Sequence, residues 1–235
     1  MKSEGPTATS RFQLRFSMVA LFSVIVIVAI PLAIWRAEVA MMLRHRIAGA
    51  RVAALGGTVS HFNDYVDGFN TRRVAVLQNH PEVDLSNTVV GDDDLSFLDQ
   101  IPDVDTLILV NTRVTDNALE RLAGLKYLTV LRLDGTRITD KGLAAIGRME
   151  HLEQLGLRNT QITDDGLHNL TALTNLFHLN LCDTAVSDAG LKILVGLPDQ
   201  KPVDHHSLWL AGSKVTASGV AELKKARPRF VIMWP

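Results

Sequence analysis

The sequence predicts an α/β solenoid, with short parallel strands on a concave side, helices on a convex side and a transmembrane helix ahead of them. Three observations carry this reading. A phrase returns every 24 residues, as Thr112-Arg113-Val114-Thr115-Asp116, Thr136-Arg137-Ile138-Thr139-Asp140, Thr160-Gln161-Ile162-Thr163-Asp164 and Thr184-Ala185-Val186-Ser187-Asp188, with a worn copy at Ser213-Lys214-Val215-Thr216-Ala217. A fixed period of this size means stacked supersecondary units. Within each copy an apolar frame changes spacing from two to three, and Phe16 to Trp35 are 20 consecutive residues without a charge.

Taken in chain order, residues 1–15 form a tail and 16–35 the span, since about 20 apolar residues cross a bilayer as a helix. A removed signal peptide is the rival, but its apolar core is usually about 7–15 residues long and ends on a small-residue cleavage site. Arg36-Ala37-Glu38-Val39-Ala40 is a poor site of that kind. Orientation is close to balanced: Lys2, Arg11 and Arg15 precede the span, and Arg36, Arg44, Arg46 and Arg51 follow it. Residues 36–57 read as a basic juxtamembrane helix, with Ala40, Leu43, Ile47, Ala50 and Ala54 at helical spacing and Gly56-Gly57 as the stop. Residues 58–79 form an irregular N-terminal cap.

Six repeats fill residues 80–227. Leu131 and Leu133 are two apart, so on an extended strand they share a face. Leu143, Ile146 and Met149 then step by three, as a helix face does, after Thr139-Asp140, either of which can cap the helix start. The first copy is hidden: Val83, Leu85, Thr88, Val90, Asp92, Leu95, Leu98 and Ile101 fall on the same frame, 24 residues earlier than Leu107 to Leu125. No single unit covers its own apolar face, but stacked neighbours bury a continuous core. Glycines 142, 166, 190 and 219 recur early in the helices, which implies close packing, because glycine in a helix otherwise costs about 1 kcal/mol. The 29-residue interval from Thr184 to Ser213 holds a five-residue insertion, with a loop at Pro198-Asp199-Gln200-Lys201-Pro202. Residues 228–235 close the stack as a cap strand.

This frame resembles the leucine-rich repeat in its ribonuclease-inhibitor-like form, with Thr where many members carry Asn or Cys. The resemblance implies a structural ladder at Thr88, Thr112, Thr136, Thr160, Thr184 and Ser213 that satisfies backbone groups in the turn after each strand. Similar short bacterial leucine-rich-repeat proteins begin with a membrane anchor, which implies repeats outside the cytoplasm. The Thr-Asp-x-Gly-Leu style also resembles repeats of F-box proteins, the substrate-recognition subunits of ubiquitin ligases, although no F-box segment precedes the repeats.

Net charge is −1, but residues 1–51 hold seven Lys/Arg against two Asp/Glu and the remainder 17 against 23. An acidic repeat domain opposes nucleic-acid binding, which favours a basic stripe. The lone Cys182 allows no intramolecular disulfide, and its register places it on the outward side. No nucleophile elbow, phosphate loop or metal-ligand spacing occurs, so no catalytic residue, metal or cofactor is expected. Asp204-His205-His206 with His178 is the nearest approach to a metal cluster, and Asp92-Asp93-Asp94 reads as a turn and cap.

The expected working surface is the concave strand face. Its outward positions include Thr106, Ile108, Val110, Val130, Arg132, Asp134, Gln154, Arg158, His178, Asn180, Ser207 and Trp209. Of these, Ile108, Val130, Arg132, Asp134, Gln154, Arg158, His178, Asn180 and Trp209 are the candidate contacts for a protein partner. Ile108, Val130 and Trp209 have no core role there, and Trp and Arg are enriched among residues that dominate binding energy. Arg132, Asp134 and Arg158 can alternatively pair among themselves. A membrane-anchored interaction module is the leading function; a substrate-recognition subunit and a structural envelope protein are the alternatives.

Overall fold

The computed structural model describes residues 30–61, 81–197 and 206–235. One sheet of eight strands runs through the repeat region in strict sequence order. Strands β1 (Thr58–His61) and β2 (Pro81–Asp84) are antiparallel; β2, β3 (Thr106–Ile108), β4 (Val130–Arg132), β5 (Gln154–Gly156), β6 (His178–Asn180), β7 (His206–Trp209) and β8 (Phe230–Met233) are all parallel. Leu107, Leu131, Leu155, Leu179 and Leu208 stand side by side in register, so the 29-residue interval leaves the ladder unbroken. The inserted loop at 198–202 itself lies outside the described residues.

Between strands the chain returns through short helices: α2 (Asp116–Leu122), α3 (Asp140–Ile146), α4 (Asp188–Leu194) and α5 (Ala217–Ala226). Two coils differ, closing through 3₁₀ turns at Asp92–Gln100 and Asp165–Ala172. The reason is local chemistry. In the second of these, Asn169 Nδ2 donates to the Gly166 carbonyl and the Thr171 hydroxyl to that of His168, three residues back in each case. Side chains of this kind compete with the helical hydrogen-bond pattern, and in the first segment the Asp94 carboxylate accepts the Gly91 backbone N–H at 3.1 Å. Leu131, Leu133, Ile138, Leu143 and Ile146 and their counterparts in neighbouring coils are fully buried in one continuous core.

Two polar ladders run along the stack, one closing the turn within each coil and one joining successive coils. In the first, the hydroxyls of Thr88, Thr112, Thr136, Thr160, Thr184 and Ser213 each donate to the carbonyl three residues back, at 2.6–2.8 Å. Between strand and ladder, Asn87, Asn111, Asn159 and Asp183 sit at φ of 52–59°, and Gly135 and Gly212 take the same slot at 71° and 73°. That left-handed turn suits Gly, Asn and Asp and few other residues.

The second ladder runs between coils. Asp92, Asp116, Asp140, Asp164 and Asp188 each accept both the backbone N–H and the hydroxyl of a residue one coil later: Thr115, Thr139, Thr163, Ser187 and Thr216. The phrase Thr-Asp thus divides its labour. Thr139 caps its own helix by accepting from Lys141 N–H at 3.3 Å, while Asp140 reaches forward to Thr163. The hydrogen bonds from Thr216 hold the Asp188 carboxyl below its ordinary pKa. These carboxylates also explain the recurrent glycines. A Cβ on Gly142 would lie 2.5 Å from Asp116 Oδ1, and one on Gly166, Gly190 or Gly219 would meet the equivalent aspartate still closer.

The first coil is covered at its outer end. Helix α1 (Ile30–Ala54) includes Ala48 and Val52, which are buried in the core, and His45 and Arg51 meet Asp103 and Asp94. The helix stops at Gly56, which has φ of 84°, and Gly57, where a Cβ would lie 2.4 Å or more from the nearest atoms of Asp84, Leu85 and Val52, and β1 follows. Of the expected cap, residues 62–79 lie outside the described residues. So does most of the expected span, whose described part, 30–35, is helical. No helix among the described residues is long and apolar enough to cross a membrane.

Candidate functional site

Parallel pairing in register lays the outward side chains in straight rows. One row is Thr106, Val130, Gln154, His178, Ser207 and Val231; its neighbour is Ile108, Arg132, Gly156, Asn180, Trp209 and Met233. Asp134, Arg158 and Cys182 lie just beyond the strands, linked by the continuing backbone hydrogen bonds Gly135 N–H to Arg158 O and Asn159 N–H to Cys182 O.

The candidate residues separate by environment. Arg132, Arg158 and Trp209 are exposed, and Ile108, Val130, Gln154 and His178 are half-buried. Asp134 and Asn180 depart from the expected exposed placement, being only 6% and 8% accessible. Asp134 folds down onto the sheet because Gly156, beside it, has no side chain; a Cβ there would lie 2.5 Å from Asp134 Oδ2. The carboxylate accepts from Arg132 Nε at 3.2 Å and from the Arg158 backbone N–H at 3.0 Å. Asn180 Oδ1 accepts from the Cys182 backbone N–H at 3.0 Å. Both are covered and engaged in hydrogen bonds within the sheet. Cys182, expected outward, is likewise buried, and burial pushes its thiol pKa up.

Around this centre Arg158 Nε donates to Asp183 Oδ2 at 2.9 Å, giving a chain of alternating charge from Arg132 through Asp134 and Arg158 to Asp183. The His178 and Trp209 rings lie with centroids 5.4 Å apart and a 59° tilt, the geometry of a favourable aromatic pair. His178 and His206 do not converge. His178 is paired in register with Ser207, so adjacent His206 projects to the opposite side, where it is buried against Phe230 at 5.3 Å between centroids. Asp204 and His205 lie outside the described residues, among which no group of three metal-ligating side chains occurs.

Sequence reasoning missed Val231 and Met233, which extend the two rows and are 39% and 49% exposed. Their signal was present: each follows Ser207 or Trp209 by 24 residues. Gly156 was also legible in principle, since a glycine inside a strand marks close approach of another group.

His178 gives the face a pH signature. Burial and the Arg132 guanidinium lower its pKa from the usual 6.5, with Asp134 opposing them. The unfolded chain therefore takes up this proton first as pH falls through 6.5, and stability contributed by neutral His178 is lost below that point. Urea midpoints measured at pH 7.5 and 5.5 should fall on acidification, and His178→Gln should make the fall smaller.

A family model described as Leucine Rich repeat matches residues 124–147, one coil. No curated protein matches the chain. Among solved structures, an internalin (inlF) from Listeria monocytogenes is similar at 22% identity over 58% of this chain and 36% of that one, with a TM-score of 0.46. Pollen Receptor Kinase 3 is similar at 15% identity over 60% of this chain and 64% of its own (TM-score 0.39). An internalin C2 from the same bacterium is similar at 18% over 66% and 80% (TM-score 0.38). The chain spans less than two thirds of the length of the first two of these.

Proposed function

We propose that this leucine-rich-repeat protein is a membrane-anchored module that binds a protein partner on its concave strand face. The fold is one typical of protein–protein interaction modules. The observation that carries the reading is Trp209, 38% exposed, held against His178 on a sheet whose other side is solid core. A large aromatic facing water on a rigid wall loses little freedom on association, so its burial is converted efficiently into affinity. Ile108 and Val130 add apolar area toward the first coils, and Val231 and Met233 toward the last.

The test is capture of a partner from native membranes by immobilised protein. Trp209→Ala and Arg158→Ala should each weaken capture about tenfold or more, as hot-spot truncation does. Thermal unfolding should hardly change, because neither side chain is in the core. Undiminished capture by both variants would remove the concave face from consideration.

Anchoring through residues 16–35 belongs to the same proposal. It is supported by the helical conformation of residues 30–35 and by the exposed apolar side chains Leu32, Ile34, Trp35, Val39, Met41, Met42 and Leu43. Arg36, Arg44 and Arg46 beyond the span suit anionic headgroups, worth about 1 kcal/mol each near a membrane surface. The protein should stay in the membrane pellet after alkaline carbonate washing, and protease added to intact cells should digest the repeats. Release into the supernatant would end the anchor reading, and protection of the repeats would reverse the orientation.

A further inference from the structure

We infer that the rim of the stack carries a second binding site, a groove for a neutral oligosaccharide, built across the turns that enter β3, β4, β5 and β6. It is independent of the concave-face reading. The groove has a volume of about 590 Å³ and is lined by residues of four successive coils. Ordinary small-molecule sites occupy about 300–1,000 Å³, and this one has room for a chain of sugar rings rather than for a single side chain of a partner.

The 24-residue period builds it as two columns. Its floor is the residue immediately before each strand, Asp105, Thr129 and Glu153, all half-buried. The same slot holds Pro81 one coil earlier and Phe177 one coil later, so the polar floor is confined to three coils and has apolar ends. The wall comes from the residues two positions before a strand's floor slot: Tyr127, His151 and Asn175, with Lys126 beside the first of them.

Hydrogen bonds within the rim fix which groups remain for a ligand. Asp105 accepts the hydroxyl of Thr129 at 2.7 Å and that of Thr106 at 3.4 Å, which uses two of the roughly four acceptor positions of a carboxylate. Thr129 has thereby spent its proton and offers lone pairs only. Asn175 Nδ2 donates to the Glu150 carbonyl at 2.8 Å, which leaves its Oδ1 as an acceptor. Lys126 supplies donors and His151 a donor and an acceptor. Held in place before a ligand arrives, these groups lose little freedom on binding.

The mixture selects the ligand. An ammonium or guanidinium only donates and would meet Lys126; a carboxylate or phosphate only accepts and would meet Asp105 and Glu153. A sugar hydroxyl both donates and accepts, so a neutral oligosaccharide answers the whole rim. A pyranose also has an apolar C–H face, and Tyr127, 54% exposed, presents a flat ring beside the polar groups on which that face can lie. An aromatic wall with a few fixed polar groups is the general construction of a small-molecule site.

Isothermal titration calorimetry of full-length protein, in a detergent without a sugar headgroup, tests this with maltotriose, cellotriose, triacetylchitotriose, trigalacturonate and trilysine. At least one of the three neutral sugars should bind with a Kd of about 1 mM or tighter, and trigalacturonate and trilysine about tenfold or more weakly than it. Tyr127→Ala and Glu153→Gln should each weaken that sugar about tenfold with unchanged thermal unfolding, and Trp209→Ala should leave it as in the wild type. No saturable binding of any neutral sugar, preference for trigalacturonate or trilysine, wild-type affinity in both Tyr127→Ala and Glu153→Gln, or loss of sugar binding in Trp209→Ala would overturn the inference. Partner capture by the concave-face variants is read separately, so the two proposals fail independently.

Discussion

Leu155→Ala should cost about 4 kcal/mol, the range in which a fully buried leucine is replaced without collapse of the surrounding core. Leu155 is completely buried at the centre of β5, between Leu131 and Leu179 in register, so its methyl groups belong to three coils at once. In a stacked repeat the stability of each coil depends on its interfaces with two neighbours, and a defect in the middle weakens both. Urea unfolding followed by circular dichroism should therefore show a lower midpoint and a broadened or divided transition, as the flanking coils cease to melt together. A loss below about 1.5 kcal/mol would mean that this position can repack in a way the close-packed core does not allow.

The aspartate clamp gives the second large effect. Asp140 accepts the Thr163 N–H at 2.9 Å and the Thr163 hydroxyl at 2.6 Å, and Asp140→Ala leaves both donors without their acceptor. Charge-assisted hydrogen bonds of this kind make a loss of about 3 kcal/mol reasonable. Gly166→Ala attacks the same clamp from the other side, because its Cβ would lie 2.8 Å from Asp140 Cγ and 2.9 Å from Leu143 Cδ1. The carboxylate must then leave Thr163 or the turn must shift, at about 2–3 kcal/mol. In the Asp140→Ala background most of that conflict is gone. The double variant should be more stable than the sum of the single losses predicts by about 1–2 kcal/mol. Strict additivity in chemical denaturation would show that glycine and aspartate are not coupled.

How much of this was legible in the sequence follows from the range of the forces involved. Period, strand leucines, helical apolar steps and the Thr/Ser ladder were legible because each depends on side chains at fixed short separations within one coil, repeated until chance is excluded. The aspartate clamp was harder, since its partner lies 23 residues away and a Thr-Asp pair before a helix has a sufficient local explanation as a cap. The 3₁₀ turn at Asp165–Ala172 depends on side chains competing for backbone carbonyls, which apolar spacing does not register. On the concave face, alternation correctly assigned sides to Arg132, Arg158 and Trp209. It did not assign exposure, because Asp134, Asn180 and Cys182 are on the outward side yet covered, in the case of Asp134 through a missing side chain on the next strand. Facing away from the core and being reachable by a partner are different properties, and only the first has a period of two.

The forward-reaching aspartates make the array read in one direction, like a chain of hooks and eyes. Each interior coil supplies an eye, the Thr or Ser, and a hook, the Asp that follows it. The first coil has Gly91 where later coils have the eye, and the last has Ala217 where earlier coils have the hook. The Gly91 N–H is met within its own coil by Asp94 at 3.1 Å, and a hook on the last would hold a carboxylate out with no coil to catch. The number of turns is thus punctuated in the polypeptide itself, and a designer wishing to splice in a seventh would have to rewrite one letter at the junction before adding the other 24.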